Sequence, residues 1–330
     1  MVITRTPFRI SFFGGGTDYP AWYRGNKGAV LATTINKYCY ITCRHLPPFF
    51  KHKHRIVYSK IENVKDINEI IHPAAKAILQ FMNIKEGIEI HHDGDLPARA
   101  GLGSSSAFTV GLLHALYAMK GEMKSKSSLA TEAIHIEQDI IKENVGSQDQ
   151  VEVAFGGFNK ISFNSDDSFQ VTPIILKKNK LEQLQEYLMF YYTGLSRFAS
   201  EIAKKQIENI NKKKIELSTM YQMVDEAVKI LNSATTKILE FGKLLHESWK
   251  LKRALTDKIS NPRIDEIYTV ARESGAIGGK LLGAGGGGFM IFFARPQDQP
   301  RIKEKLKSLL LVPFRFENQG SQIIFYQSDV

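Results

Sequence analysis

Pro97-Ala98-Arg99-Ala100-Gly101-Leu102-Gly103-Ser104-Ser105-Ser106-Ala107 decides the reading of this chain. It is a loop of small residues that runs into the apolar helical stretch Phe108–Met119. Glycines let successive backbone N–H groups turn toward one point. A helix N-terminus adds about half a positive charge aimed the same way. Gly101, Leu102, Gly103, Ser104, Ser105 and Ser106 therefore read as a phosphate cradle whose hydroxyls can also bind a metal ion.

The cradle is not the usual P-loop, which needs Lys and then Ser or Thr after its last glycine. A second glycine cluster, Gly283-Ala284-Gly285-Gly286-Gly287-Gly288, fits the dinucleotide spacing. A strand-like run, Phe289–Ala294, follows it where a dinucleotide fold requires a helix. Gly285 and Gly286 are better read as a loop that brings backbone close to a ligand or to the cradle.

Two more segments carry chemistry. In Pro7-Phe8-Arg9-Ile10-Ser11-Phe12-Phe13-Gly14-Gly15-Gly16-Thr17-Asp18 a strand delivers a glycine turn and then an Asp that can accept from sugar hydroxyls. Glu137 sits in a helical run, Leu129–Lys142, and Asp149 follows the turn Asn144-Val145-Gly146-Ser147. Two carboxylates near a phosphate cradle suggest one metal ligand and one base.

Elsewhere the first half alternates short strands and helices, and 198–255 carries long helical patterns. The turn-rich Asn164-Ser165-Asp166-Asp167-Ser168 marks a domain boundary, giving domains 1–170 and 171–330. The composition, 43% hydrophobic and 24% charged, is that of a globular protein. The net charge of +10 suits an anionic partner. Lys and Arg are dispersed and no ribonucleoprotein aromatic motif occurs, which argues against nucleic acid.

No signal peptide and no run of the roughly 20 apolar residues that span a bilayer is evident, so the expectation is a cytoplasmic protein that does not engage the membrane. Cys39 and Cys43, four strand residues and about 13 Å apart, are too distant to bridge. Lys51-His52-Lys53-His54 reads as a solvated turn, His91-His92-Asp93 as a strand end and Lys212-Lys213-Lys214 as a solvated helix face, rather than as sites.

The three motifs, in this order, resemble the galactokinase, homoserine kinase, mevalonate kinase and phosphomevalonate kinase (GHMP) superfamily. They are the Arg9-to-Asp18 segment, the cradle, and Lys280-Leu281-Leu282 with the late glycines. The resemblance spans nearly the whole chain. It implies an α+β two-domain fold, with a ribosomal-S5-like α/β domain, then a ferredoxin-like α+β domain, and ATP between them.

It further implies Mg²⁺ held by Ser105 and Glu137, Asp149 as catalytic base, and Arg9 stabilising the transferring phosphoryl group. Gly15, Gly16, Thr17 and Asp18 would hold the sugar. Galactokinases carry Glu-His-Thr-Asp at that last place. The glycine version here, with Thr193-Gly194-Leu195-Ser196-Arg197, is more similar to the branch that acts on heptose 7-phosphates at C1. Charge matching adds Arg197 as a contact to a distal phosphate, with Lys37 and Arg24 as further candidates. The partners expected are ATP and a sugar phosphate. A galactokinase- or fucokinase-like enzyme and a non-catalytic sugar sensor are the alternatives. The sequence does not give the oligomeric state.

Overall fold

The structure is a computed structural model describing residues 1–98, 100–195 and 199–327. In chain order the strands are β1 (Val2–Phe13), β2 (Gly28–His45), β3 (His54–Val57), β4 (Ile61–Val64), β5 (Ile88–Gly94), β6 (Phe158–Phe163), β7 (Phe169–Pro173), β8 (Leu188–Tyr192), β9 (Ala276–Leu281), β10 (Phe289–Ala294), β11 (Leu310–Leu311), β12 (Phe316–Glu317) and β13 (Gln322–Tyr326). They form two sheets, one of nine strands and one of four ordered β11-β8-β10-β9.

β1 and β2 are the frame of the larger sheet. Their apolar and β-branched residues favour extended backbone. β2 is long enough to pair with β1 along one edge and with β5 and then β6 along the other. The helix Ser104–Met119 lies across both strands, almost wholly buried. Its approach is close: Thr4 Oγ1 donates to the Gly111 carbonyl at 2.9 Å. This crossing aims the helix N-terminus at the Arg9 end of β1.

The smaller sheet carries the aromatic run of β10, buried along its whole length. The helix Leu239–Ala254 packs on it, with Phe241 against Phe293 and against Phe12 of β1. The two sheets therefore share a core, and apolar burial of that extent dominates the stability of such a unit.

Several expectations need correction. Residues 164–168 are the hairpin turn between β6 and β7, not a boundary. A turn between paired strands and a linker use the same residues, so composition could not separate them. The division at 170 also misplaces the last strands. β13 pairs with β1, and β12 with β2, so both belong to the first sheet. The helical run 129–142 is an α-helix, Lys126–His135, followed by a π-turn, Ile136–Ile140. The cradle helix begins at Ser104, not at Phe108. Among the described residues there is no metal-holding group of three His, Cys, Asp or Glu. Both cysteines are free and buried. No helix among the described residues is long and apolar enough to cross a membrane.

Candidate active site

Gly103 caps the cradle helix in the left-handed conformation, φ 74°, which suits glycine. A β-carbon there would stand 3.3 Å from Arg9 Cγ and 3.4 Å from Asp149 Oδ2. The cradle therefore opens directly onto the predicted catalytic pair.

Arg9 and Asp149 form a two-pronged ion pair. Arg9 Nε donates to Asp149 Oδ1 and Nη2 to Oδ2, both at 2.7 Å. Nη1 donates to the Gly101 carbonyl at 2.6 Å, and the Arg9 backbone N–H to the Leu102 carbonyl. The Arg9 side chain is 3% exposed and that of Asp149 25%. Fork-to-fork pairing fixes geometry as well as energy. One side chain thus ties Asp149 to the cradle backbone, a link that sequence order alone did not supply.

Glu137 sits on the π-turn and is fully buried. Such turns recur at functional sites because they rotate a side chain out of α-helical register. Ser106 Oγ donates to Glu137 Oε2 at 3.0 Å, and the Gln150 amide donates to the same oxygen. Ser105, named as the metal-binding serine, is exposed, and it is Ser106 that the helix turns toward Glu137. Glu137 Oε1 is sealed from solvent and has no hydrogen-bond partner. Burial pushes its carboxyl up to about 7, against the pull of Thr109, Ser106 and Gln150. An unpaired buried carboxylate oxygen in this setting fits a cation.

Asp18 lies 2% exposed in the loop after β1. Its Oδ1 accepts from the Gly16 N–H at 2.8 Å, and its carbonyl accepts from the Ser147 N–H at 2.9 Å. Burial raises its carboxyl above the ordinary range, while the Gly16 N–H and Lys252 oppose the rise. The glycine turn before Asp149 is thereby stitched to the loop holding Asp18. Thr17 is occupied elsewhere: its hydroxyl bonds the Gly14 and Ala29 carbonyls and serves the loop.

The late glycines sit on the cradle. A β-carbon at Gly288, φ +99°, would lie 2.2 Å from the Ala100 carbonyl oxygen. The Gly286 N–H is spent on the Ile259 carbonyl at 2.7 Å, so that glycine packs backbone against backbone. Arg197 lies outside the described residues. Arg24 pairs with Asp167 at the exposed surface, at 2.8 Å.

Four groups escaped the sequence reading as site residues. Lys252 Nζ donates to the Gly15 carbonyl at 3.1 Å and to Gln206 Oε1 at 2.8 Å. Gln206 Nε2 donates in turn to the Ala284 carbonyl at 2.6 Å. Lys280 Nζ donates to the Phe12 carbonyl at 3.0 Å, and burial, with Lys252 and Arg9 nearby, lowers its amine to about 7. Glu152, one helical turn beyond Asp149, is buried and pushed up to about 8 by that burial. For Lys280 the signal was its place in the third motif; the others had none.

Residues 68–157 match the GHMP kinases N terminal domain and residues 230–310 the GHMP kinases C terminal. The chain belongs to the GHMP kinases, and the cradle, Arg9–Asp149 pair and Glu137 are the parts that its fold gathers. Among its relatives is the D-glycero-alpha-D-manno-heptose 7-phosphate kinase of Campylobacter jejuni subsp. jejuni serotype O:2, 28% identical over 328 residues and covering 92% of both chains. A mevalonate kinase of Pyrococcus abyssi is 27% identical over 250 residues, 73% of this chain and 70% of that one. The solved structure of a D-glycero-D-manno-heptose 1-phosphate kinase from Bacteriodes thetaiotaomicron has a TM-score of 0.80 at 22% identity, covering 99% of this chain and 100% of that one. That last likeness speaks to the fold.

Proposed function

We propose that this chain transfers the γ-phosphoryl group of ATP to the C1 hydroxyl of D-glycero-D-manno-heptose 7-phosphate, giving the 1,7-bisphosphate. Such a product would serve the making of nucleotide-activated heptose for surface polysaccharides. The observation that carries the reading is the buried Arg9–Asp149 pair at the mouth of the phosphate cradle, with Asp18 stitched to the same segment. The Campylobacter relative supports the choice of sugar.

Asp149 accepts the proton of the attacking hydroxyl as its oxygen bonds the γ-phosphorus and the bond to the departing ADP oxygen breaks. Arg9 holds Asp149 in place and offers its remaining N–H groups to the charge on the transferring oxygens. Phosphoryl transfer is a loose process, so positioning and charge supply most of the rate. Asp18 fixes the sugar through its hydroxyls. Glu137, with Ser105 and Ser106 on the facing helix turn, would hold Mg²⁺, which supplies charge neutralisation on the phosphates.

A coupled ATPase assay over galactose, fucose, mannose and heptose 7-phosphate tests the proposal. Turnover that is fastest with heptose 7-phosphate is expected. Faster turnover of an unphosphorylated sugar would move the assignment to that sugar, and no turnover at all would favour a sensor.

A further inference from the structure

The loop between β2 and β3 stands off the larger sheet with its apolar tip in water. A β-carbon on Gly87 would meet the Lys53 carbonyl oxygen at 2.8 Å and the Leu46 carbonyl oxygen at 2.9 Å. The two ends of the loop therefore converge on Gly87, and residues 47–52 project between them. Pro47 and Pro48 restrict the backbone on the way out. Phe49 at the tip is 90% exposed and Phe50 48%. Phe50 stacks on His52, with ring centres 5.4 Å apart. Met123, Ile175 and Ile215 are exposed too, but single scattered residues of that kind are ordinary. Two adjacent phenylalanines held out on a closed loop are not.

At the root of this loop is a pocket of about 320 Å³ that shares no lining residue with the cradle or the Arg9–Asp149 site. Lys53, Lys65 and Lys85 line it, against one acid, Asp66. Asp66 Oδ1 is already engaged by the Asn68 N–H at 2.8 Å. The helix Pro73–Phe81 ends at the pocket, and free carbonyls at a helix C-terminus would oppose an anion. Two of them are taken by the chain itself: the Asn83 N–H donates to the Gln80 carbonyl and the Ile84 N–H to the Leu79 carbonyl, both at 3.0 Å. No Asp or Glu occurs between Arg44 and Lys60, so nothing on the loop offsets Lys51 and Lys53.

We propose that this end of the sheet docks on an anionic membrane surface, with Phe49 and Phe50 entering the interface and Lys53, Lys65 and Lys85 receiving a lipid phosphate. Apolar side chains flanked by basic ones are the pairing that peripheral attachment uses. Basic groups at the surface gain from the negative potential of anionic lipid. The sequence expectation of no membrane contact rested on the lack of a spanning segment, which this mode of attachment does not need. A soluble phosphate would suit the lysines but would leave both phenylalanines in water, and that difference favours the lipid.

Co-sedimentation with phosphatidylcholine vesicles, with and without phosphatidylglycerol, tests this. Wild type should bind the vesicles that contain phosphatidylglycerol, come off them with added salt, and leave pure phosphatidylcholine alone. Phe49→Ser should weaken binding about tenfold, the effect of one aromatic side chain no longer leaving water. Replacing Lys53, Lys65 and Lys85 together by Gln should weaken it about fivefold for each lysine. The control replaces Lys178, Lys243 and Lys307, exposed on other helices, by Gln. It removes the same charge and should bind like wild type. Equal losses in the two triple variants would mean that overall charge drives binding, and the proposal fails. It fails also if wild type binds no vesicle, or if Phe49→Ser binds as wild type does. Calorimetric binding of glycerol phosphate without vesicle binding would overturn it too, assigning the lysines to a soluble phosphate. If the lysine variant melts early, Phe49→Ser decides alone, since that side chain stands in water and its loss leaves the fold intact.

Discussion

Gly146 gives up its side-chain space to Asp18. A β-carbon on Gly146 would stand 1.9 Å from Asp18 Oδ2, and the neighbouring Ser147 N–H holds the Asp18 carbonyl at 2.9 Å. The loop from β1 and the turn before Asp149 are therefore one fitted unit.

The Gly146→Ala variant should consequently act on the acceptor alone. Its methyl must push the Asp18 carboxylate off its position, and a misplacement near 1 Å can cost about 10²-fold in rate. We expect kcat/KM for the sugar to fall by that order while ATP affinity by calorimetry is unchanged. Equal losses for both substrates would mean that the turn supports the cradle rather than Asp18.

Asp149→Asn tests the base and the ion pair together. A general base contributes typically about 10²–10⁴-fold, so kcat should drop at least 10²-fold. Arg9 would also lose its counter-charge while remaining buried. Breaking a buried pair costs about 3–5 kcal/mol; the quarter exposure of Asp149 points to the lower end. Reduced kcat together with a lowered melting temperature is expected. Wild-type kcat would assign Asp149 a purely structural role.

Gln206 links two loops. Its amide spans the Ala284 carbonyl in the late glycine loop and the Lys252 amine that holds Gly15. In Gln206→Leu the late glycine loop and the Gly15 loop lose their common strut. The sugar KM measured at low and at saturating ATP should differ in wild type and converge in the variant, since coupling between sites typically amounts to 1–3 kcal/mol. A sugar KM that keeps its ATP dependence would remove Gln206 from this role.

Lys280 makes stability depend on pH in a defined direction. Its amine is lowered to about 7 in the folded protein from the ordinary 10.5. Between those values the unfolded chain binds more protons, so this group makes stability rise with pH across the window. Below about 7 the full cost of burying the charge is present. In Lys280→Met the cost is gone, so the melting temperature relative to wild type should be highest near pH 6 and fall steadily toward pH 9. A difference independent of pH would mean that Lys280 stays charged throughout.

The segments bearing the cradle, Arg9, Asp18, Glu137 and Asp149 could be singled out in the sequence because each lies in a short local motif, and their proposed roles came from the resemblance to the GHMP family. What brings them together was not. Lys252 and Gln206 sit in helices whose apolar repeat reads as ordinary core, and their partners are 237 and 78 residues away. Which serine faces Glu137 depends on where the helix starts. Beginning at Ser104 rather than Phe108 turns Ser106 inward, at about 100° per residue. The π-turn under Glu137 has no composition of its own, and an α-helical run is the natural expectation for Leu129–Lys142. The division at 170 separated β12 and β13 from the first sheet because pairing between residues some three hundred positions apart leaves no local mark.

That distant pairing has a bearing on how the molecule is made. β1 carries Arg9, yet its edge partner β13 and the strand β12 beside β2 are encoded about three hundred residues later. At about 5–20 residues per second of synthesis, the strand that holds Arg9 waits roughly 15–60 seconds for its neighbour. During that interval the apolar edge of the first sheet is open to solvent and to other strands. The first-made half is thus the last to be completed, and nascent chains halted before residue 316 should be the aggregation-prone species, detectable by their selective binding to holdase chaperones. Nascent chains of that length that stay soluble and protease-resistant would show that the first sheet closes without its late strands.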